Sequence, residues 1–144
     1  MIGTENLSVG RHVVQFYGRG EELAERMTDY PFSREAPAAA RHFTVATLGA
    51  WGAGDLAEDA ALVVTELAAN AIVHAGSAFT VILSARGNVL RIAVRDGCPL
   101  PAEGQAALMP LPLHGLGAVD ALATRWGVES LGKAGKTVWV DLRR

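Results

Sequence analysis

Glu66, Asn70 and His74 stand four residues apart in the stretch DAALVVTELAANAIVHA, Asp59 to Ala75. On a helix that spacing makes them neighbours on one face. Asp59, seven residues before Glu66, falls on nearly the same line. Around this line the residues are mostly Ala, Val and Ile, and the stretch holds no Lys or Arg. A carboxylate and an amide oxygen are hard oxygen donors, suited to Mg²⁺ that also holds phosphates. Shielded from water and unpartnered, each group would cost on the order of 2–7 kcal/mol, and a ligand or metal would supply the partner. The competing reading is a solvated helix face. Against it stand the missing basic residues and the Asn itself, whose amide competes for backbone hydrogen bonds inside a helix.

A second candidate lies in LGKAGKTVWVDL, residues 131 to 142, where Gly135-Lys136-Thr137 invites comparison with a phosphate-binding loop. A Walker loop needs glycine five residues before its last glycine, and Ser130 stands there. It also needs a helix directly afterwards, whose N-terminal amides hold the phosphate. Thr137 to Leu142 is instead rich in β-branched and aromatic residues and reads as a strand. The stretch is a hairpin turn.

The elements that must position these residues follow from periodicity. His12 to Tyr17 is a strand, Gly18 to Gly20 break it, and Glu21 to Tyr30 reads as a short helix closed by Pro31. Ala39, Phe43, Ala46 and Ala50 recur at helical spacing between Glu35 and Trp51, and Gly52 ends that run. Asp55 is expected as the N-cap of the next helix, with Glu58 as its capping partner. That helix runs to about Ala75 and stops at Gly76, with Leu56, Ala60, Val63, Val64, Leu67 and Ala71 as its core-facing stripe. Phe79 to Ala85 and Val89 to Arg95 are strands joined through Arg86-Gly87-Asn88. Residues 97 to 113 contain four prolines and form a long loop, of the kind that is often functional. Leu116 to Arg125 is expected to be a helix, and two strands flank the Gly132 to Gly135 turn. Helices in runs, not alternating with every strand, predict an α+β two-layer fold: a mixed, largely antiparallel sheet with helices on one face.

Composition narrows the class. The 144 residues suit one ordinary domain. A formal net charge of −2 gives no basic face for nucleic acid. Cys98 is the single cysteine, so neither an intrachain disulfide nor a cysteine-cluster metal site can form. The start, MIGTENLSVGR, lacks the cationic and apolar regions of a signal peptide, and no run of about 18 apolar residues could cross a bilayer. A soluble cytoplasmic protein is expected. No Ser/His/Asp constellation with a nucleophile-elbow signature argues for a hydrolase.

Glu66-Leu67-Ala68-Ala69-Asn70-Ala71-Ile72-Val73-His74 resembles the N-box of the GHKL ATPase superfamily, and within it the serine-kinase anti-sigma factor branch. Three further motifs follow in order. Val94-Arg95-Asp96-Gly97-Cys98-Pro99 is similar to the aspartate-glycine box. His114 to Asp120, HGLGAVD, is similar to the glycine box after the ATP lid. Gly127-Val128 with Gly135 to Trp139 is similar to the closing hairpin. The resemblance covers residues 31 to 144 and implies a histidine kinase-like ATPase (Bergerat) fold that binds ATP and Mg²⁺. Under it Asn70 would hold Mg²⁺ through its side-chain oxygen. Glu66 would be the general base for a partner serine. Asp96 would accept a hydrogen bond from the adenine amino group, with Thr137 close to the ring. Gly115 and Gly117 would bring backbone amides to the phosphates. His74 is read as a packing or hydrogen-bonding residue, and Cys98 as a small residue in a turn.

Some positions depart from that pattern. Leu113 and His114 stand where the glycine box usually opens with Gly and a basic residue, and Cys98 stands where a glycine is usual. No Lys or Arg lies between Arg95 and Arg125. The implied function is an anti-sigma-type regulator that binds a sigma factor and phosphorylates an anti-anti-sigma (STAS-type) partner on serine, with no direct nucleic-acid or membrane contact. The alternative is a degenerate module of the same fold that sequesters its partner without kinase activity. Residues 1 to 30 form an N-terminal extension, expected as a strand plus a short helix. Gly10 to Tyr17 with Glu21-Glu22-Leu23 faintly resembles the opening of the MEDS sensory domain; an added edge strand and helix making a homodimer contact is the other reading.

Overall fold

The computed structural model describes residues 11–17, 21–99, 119 and 121–144. Its strands are β1 (Arg11–Tyr17), β2 (Glu21–Tyr30), β3 (Phe79–Arg86), β4 (Val89–Asp96), β5 (Arg125–Ser130) and β6 (Lys136–Arg143). They form one six-stranded sheet in the order β1-β2-β3-β4-β6-β5. Every neighbouring pair is antiparallel, so among the described residues the sheet is antiparallel and not mixed. Helices α1 (Ala36–Ala50) and α2 (Ala57–Asn70) pack on one face of it. The α+β two-layer arrangement expected from the element order is therefore present.

Alternation along the strands sets which side chains reach the helices. Val81 and Leu83 of β3, Leu90, Ile92 and Val94 of β4, and Val138, Val140 and Leu142 of β6 join the core. From α2 come Leu56, just ahead of it, then Ala60, Val63, Val64, Leu67 and Ala71, all buried. The apolar stripe read from the sequence is thus the packed one. Each Val or Leu buried this way contributes roughly 1.5–3 kcal/mol.

Three expectations are corrected: the helix at Glu21 to Tyr30, the Asp55 cap and the C-terminal end of the Leu116 to Arg125 helix. Glu21–Tyr30 is strand β2, not a helix, and pairs over its length with β3 from Leu23↔Arg86 to Tyr30↔Phe79. Its residues favour helix locally, but the adjacent strand satisfies the backbone along one whole edge, and tertiary context overrides propensity. The described part of the N-terminal extension is consequently a hairpin continuing the main sheet. In α1 the buried residues are Ala36, Ala40, Phe43, Thr44, Thr47 and Leu48, while Ala39, Ala46 and Ala50 are exposed. Thr44 is tolerated inside because its hydroxyl donates to the Ala40 carbonyl at 2.9 Å, and Thr47 Oγ1 accepts from Arg26 Nη1 at 3.1 Å. Asp55 makes no cap hydrogen bond; a 3₁₀ turn at Gly54–Leu56 precedes α2. Asp55 instead binds Arg144, with a 3.0 Å ion pair. Arg125 begins β5 instead of ending a helix. Val119, Ala121 and Leu122 are helical, but Ala123 and Thr124 are not, so the expected helix has ended by Leu122; residues 116 to 118 and 120 lie outside the described residues, as does most of the 97 to 113 loop.

Candidate functional site

Helix α2 does not simply stop. Its last α-helical residue is Asn70, and a π-helical turn, Ala71–Ala75, carries it to Gly76, which closes it in left-handed backbone (φ 61°, ψ 37°). Such single-turn π segments are uncommon and concentrate at functional sites. Asn70 is 8% exposed, and its Nδ2 is buried with no hydrogen-bond partner among the described residues. Buried amides are nearly always paired, so this donor marks a place where something else belongs. Glu66, one turn earlier, is half-buried; Asp59 is half-buried and His74 exposed. The stripe is neither wholly solvated nor wholly shielded, and its shielded member is the asparagine.

Ser77 ties this turn to the end of β4. Its N–H donates to the Ala71 carbonyl at 3.3 Å, and its Oγ accepts from the Gly97 N–H at 3.1 Å. Two stretches that the sequence marks separately, around Asn70 and around Asp96, are therefore stitched together by one serine. Sequence reasoning missed it; a small hydroxyl just after a helix-terminating glycine is the available signal.

Asp96 is the last residue of β4 and is 6% exposed. Lys136, directly opposite on β6, is 8% exposed and donates to both Asp96 oxygens at 3.0 and 3.1 Å. It also reaches the Cys98 carbonyl at 3.4 Å, and the Cys98 N–H donates to Asp96 Oδ1 at 2.8 Å. A carboxylate offers about four lone-pair positions, so one acceptor position remains, on Oδ2. Gly135 makes the approach of the strands here feasible: a Cβ on it would collide with the Asp96 carbonyl oxygen.

Lys136 is the residue that the sequence reading left in the turn. Its place was legible, since counting back by twos from Leu142, Val140 and Val138 puts it on the core face. A core-facing lysine requires a carboxylate, and Asp96 ends the neighbouring strand.

Thr137 lies on the opposite side. It pairs with Arg95 and Glu129, and the alternation that turns Lys136 and Val138 inward turns Thr137 to the uncovered face. The structure does not bring it together with Asp96. A cleft of about 340 Å³ opens beside Asp96 and Gly97, with Thr80, Arg95, Leu131 and Ala134 in its walls; Glu66, Asn70 and Thr137 do not line it. Gly115, Gly117, Leu113 and His114 lie outside the described residues.

Tyr30 stacks on Phe79 with ring centroids 5.3 Å apart. Burial pushes its phenol up to about 12, partly offset by a hydrogen bond with Thr28 and the charge of Arg26.

No helix among the described residues is long and apolar enough to cross a membrane. Neither a scan against protein-family models nor a search among curated proteins returns a match for this chain.

Proposed function

We propose that the chain is a GHKL-type regulatory protein that binds ATP with Mg²⁺ and phosphorylates a protein partner on serine. The observation that carries this reading is the buried Asn70 amide, unpartnered among the described residues, one turn beyond Glu66 and just ahead of a π turn stitched to Asp96-Gly97. Its donor would meet an acceptor on the nucleotide, leaving the amide oxygen for the cation. Among the described residues no cluster of three or more His, Cys, Asp or Glu could hold a metal; Mg²⁺ carried on a triphosphate needs only one or two protein oxygens. The remaining Oδ2 position of Asp96 can accept one donor from a base. Glu66, half-exposed to incoming groups, is suited to accept the proton of an attacking hydroxyl. ATP would supply the transferable phosphoryl group. A sigma factor and a STAS-type anti-anti-sigma protein are the proposed partners, in the cytoplasm.

Calorimetric titration with ATP and Mg²⁺ tests the binding step. A nucleotide at 100 times its dissociation constant raises stability by about 2.7 kcal/mol. Asn70→Leu should abolish that gain while leaving the ligand-free protein equal or up to about 1 kcal/mol more stable, because an orphaned donor is removed. With γ-labelled ATP, Glu66→Gln should retain binding and lose labelling of the partner. Equal transfer by wild type and Glu66→Gln refutes the kinase role.

A second reading, a partner-sequestering module of the same fold without phosphotransfer, draws on two observations. Asp96 is largely satisfied by Lys136, and Thr137 stands on the other face. A melting temperature unmoved by ATP and Mg²⁺ would favour it.

A further inference from the structure

The face of the sheet opposite the helices carries a groove of about 560 Å³. Arg86 of β3, Arg91 of β4, Arg125 of β5 and Arg143 of β6 all line it, with Asp141 as the one carboxylate among its described lining residues; Arg86 has a further contact of its own. That carboxylate is buried and organises the cations. Arg91 donates from Nε to Oδ1 at 2.7 Å and from Nη2 to Oδ2 at 3.0 Å. Arg125 Nη2 stands 3.6 Å from Oδ2. Both guanidiniums also lie against Trp139, with Cζ 4.0 and 5.6 Å from the indole centroid. The indole can lie flat there because Gly127 is opposite it; a Cβ at that position would come within 2.7 Å of the ring.

We propose that this groove docks a short acidic segment of a partner protein. The proposal is independent of the nucleotide site, which belongs to the helix-covered side. Arg91, Arg125 and Arg143 stand against one carboxylate among the described lining residues, in a chain whose net charge is −2, so positive charge is concentrated locally. Arg91 and Arg125 remain accessible, with side chains 41% and 67% exposed, yet are held in position by Asp141 and Trp139. Preorganised guanidiniums bind carboxylates in a fork at little further ordering cost. Two features favour an acidic peptide over single-stranded nucleic acid. The indole face that would stack a base is covered by Arg91. The cationic area is also short: on the same sheet face Glu25 accepts from Ser84 in the groove wall, and the charge of Glu129, opposite Thr137, reaches Arg91. A volume of this size suits a few residues of extended chain.

The test is fluorescence anisotropy of the full chain at low ionic strength with a labelled heptapeptide alternating Glu and Val. Saturable binding is expected, weakening with salt and lost when every Glu is replaced by Gln. The Arg125→Glu/Arg143→Glu double variant should weaken it about tenfold or more, with an unchanged circular dichroism spectrum. Arg143→Glu alone, at an exposed strand end, gives a smaller loss in the same direction should the double variant fold poorly. Arg41→Glu, exposed on α1, should leave affinity within about twofold. The proposal falls if the Gln peptide binds equally, if a labelled oligothymidylate binds more tightly, or if Arg41→Glu weakens binding as much as the groove variants. Concentration-dependent self-association that excludes the peptide would equally overturn it, making the groove a contact between copies.

Discussion

The β4–β6 ladder carries two ion pairs between directly opposed residues, Asp96 with Lys136 and Arg91 with Asp141. In both the aspartate is almost fully buried, 5% and 6% exposed at the side chain, but the cations differ: 10% exposed for Lys136 and 41% for Arg91. The first pair is closed on itself. The lysine is a point charge whose donors are spent on Asp96 and the Cys98 carbonyl. The second is open, with a planar fork resting on Trp139, a second arginine nearby, and water on its outer side. One sheet thus uses the same cross-strand device twice: to seal a polar end of the core, and to aim cations outward. Burial of the acid does not distinguish these uses. Burial of the base does.

The largest effect should come from breaking the closed pair. Lys136→Met leaves Asp96 buried without a counter-ion, which costs about 3–5 kcal/mol, read as a fall in the urea midpoint at constant slope. Adding Asp96→Asn should recover most of that loss, since an amide can still accept from the Cys98 N–H and carries no charge. Arg91→Met should cost less, about 1–2 kcal/mol, because Arg125 and water remain beside Asp141. Equal losses for Lys136→Met and Arg91→Met would erase the distinction between sealed and open pairs.

A subtler break acts on the open pair's support. Gly127→Val places a branched side chain where Trp139 now lies, closer than 3 Å to its ring. Overpacking of this kind costs about 1–3 kcal/mol. It should also displace the indole from under Arg91, changing the tryptophan fluorescence, while the Asp96–Lys136 pair on the other face keeps its contacts. A variant that destabilises without moving the emission would mean that Trp139 does not set the arginine geometry.

The two regions also differ in what the sequence discloses. The stripe from Leu56 to Ala71 is legible because a helix that buries one face repeats its apolar residues at fixed spacing, and all six are buried. The hairpin of β3 and β4 and the strand character of Thr137 to Leu142 are legible for the same local reason. Asn70 could be singled out, but the lack of a partner for its Nδ2 is a property of the folded surroundings. What could not be read depends on residues far apart in the chain. β2 is a strand because β3, more than 50 residues later, satisfies its edge, as the 2.6 Å bond from Thr80 to Asp29 illustrates. Asp55 is drawn from its cap by Arg144. The arginine groove joins four strands, so no window of sequence contains it. Searching only for apolar periodicity also hid Thr44 and Thr47, which are polar yet completely buried.

The smallest predicted effect measures how far the covered face excludes water. Tyr30, on the helix side of β2, is pushed up to about 12 chiefly by burial. Arg91, on the open face, is raised chiefly by its hydrogen bond to Asp141. One shift thus reports missing water, the other a present partner. Tyr30 has a folded value above its unfolded value near 10, so its neutral form favours folding. That contribution is complete below about pH 10 and is lost as pH rises toward 12. Because the phenol is only half-buried, the loss is about 1 kcal/mol after allowing for solvent screening. Subtracting the alkaline absorbance titration of Tyr30→Phe from that of the wild type isolates its ionisation. A midpoint near 12 is expected, with the decline in stability between pH 10 and 12 shallower in the variant. A midpoint near 10 would mean that water reaches the covered face at this end of the sheet, where the rim beside Asp96 would then be open as well.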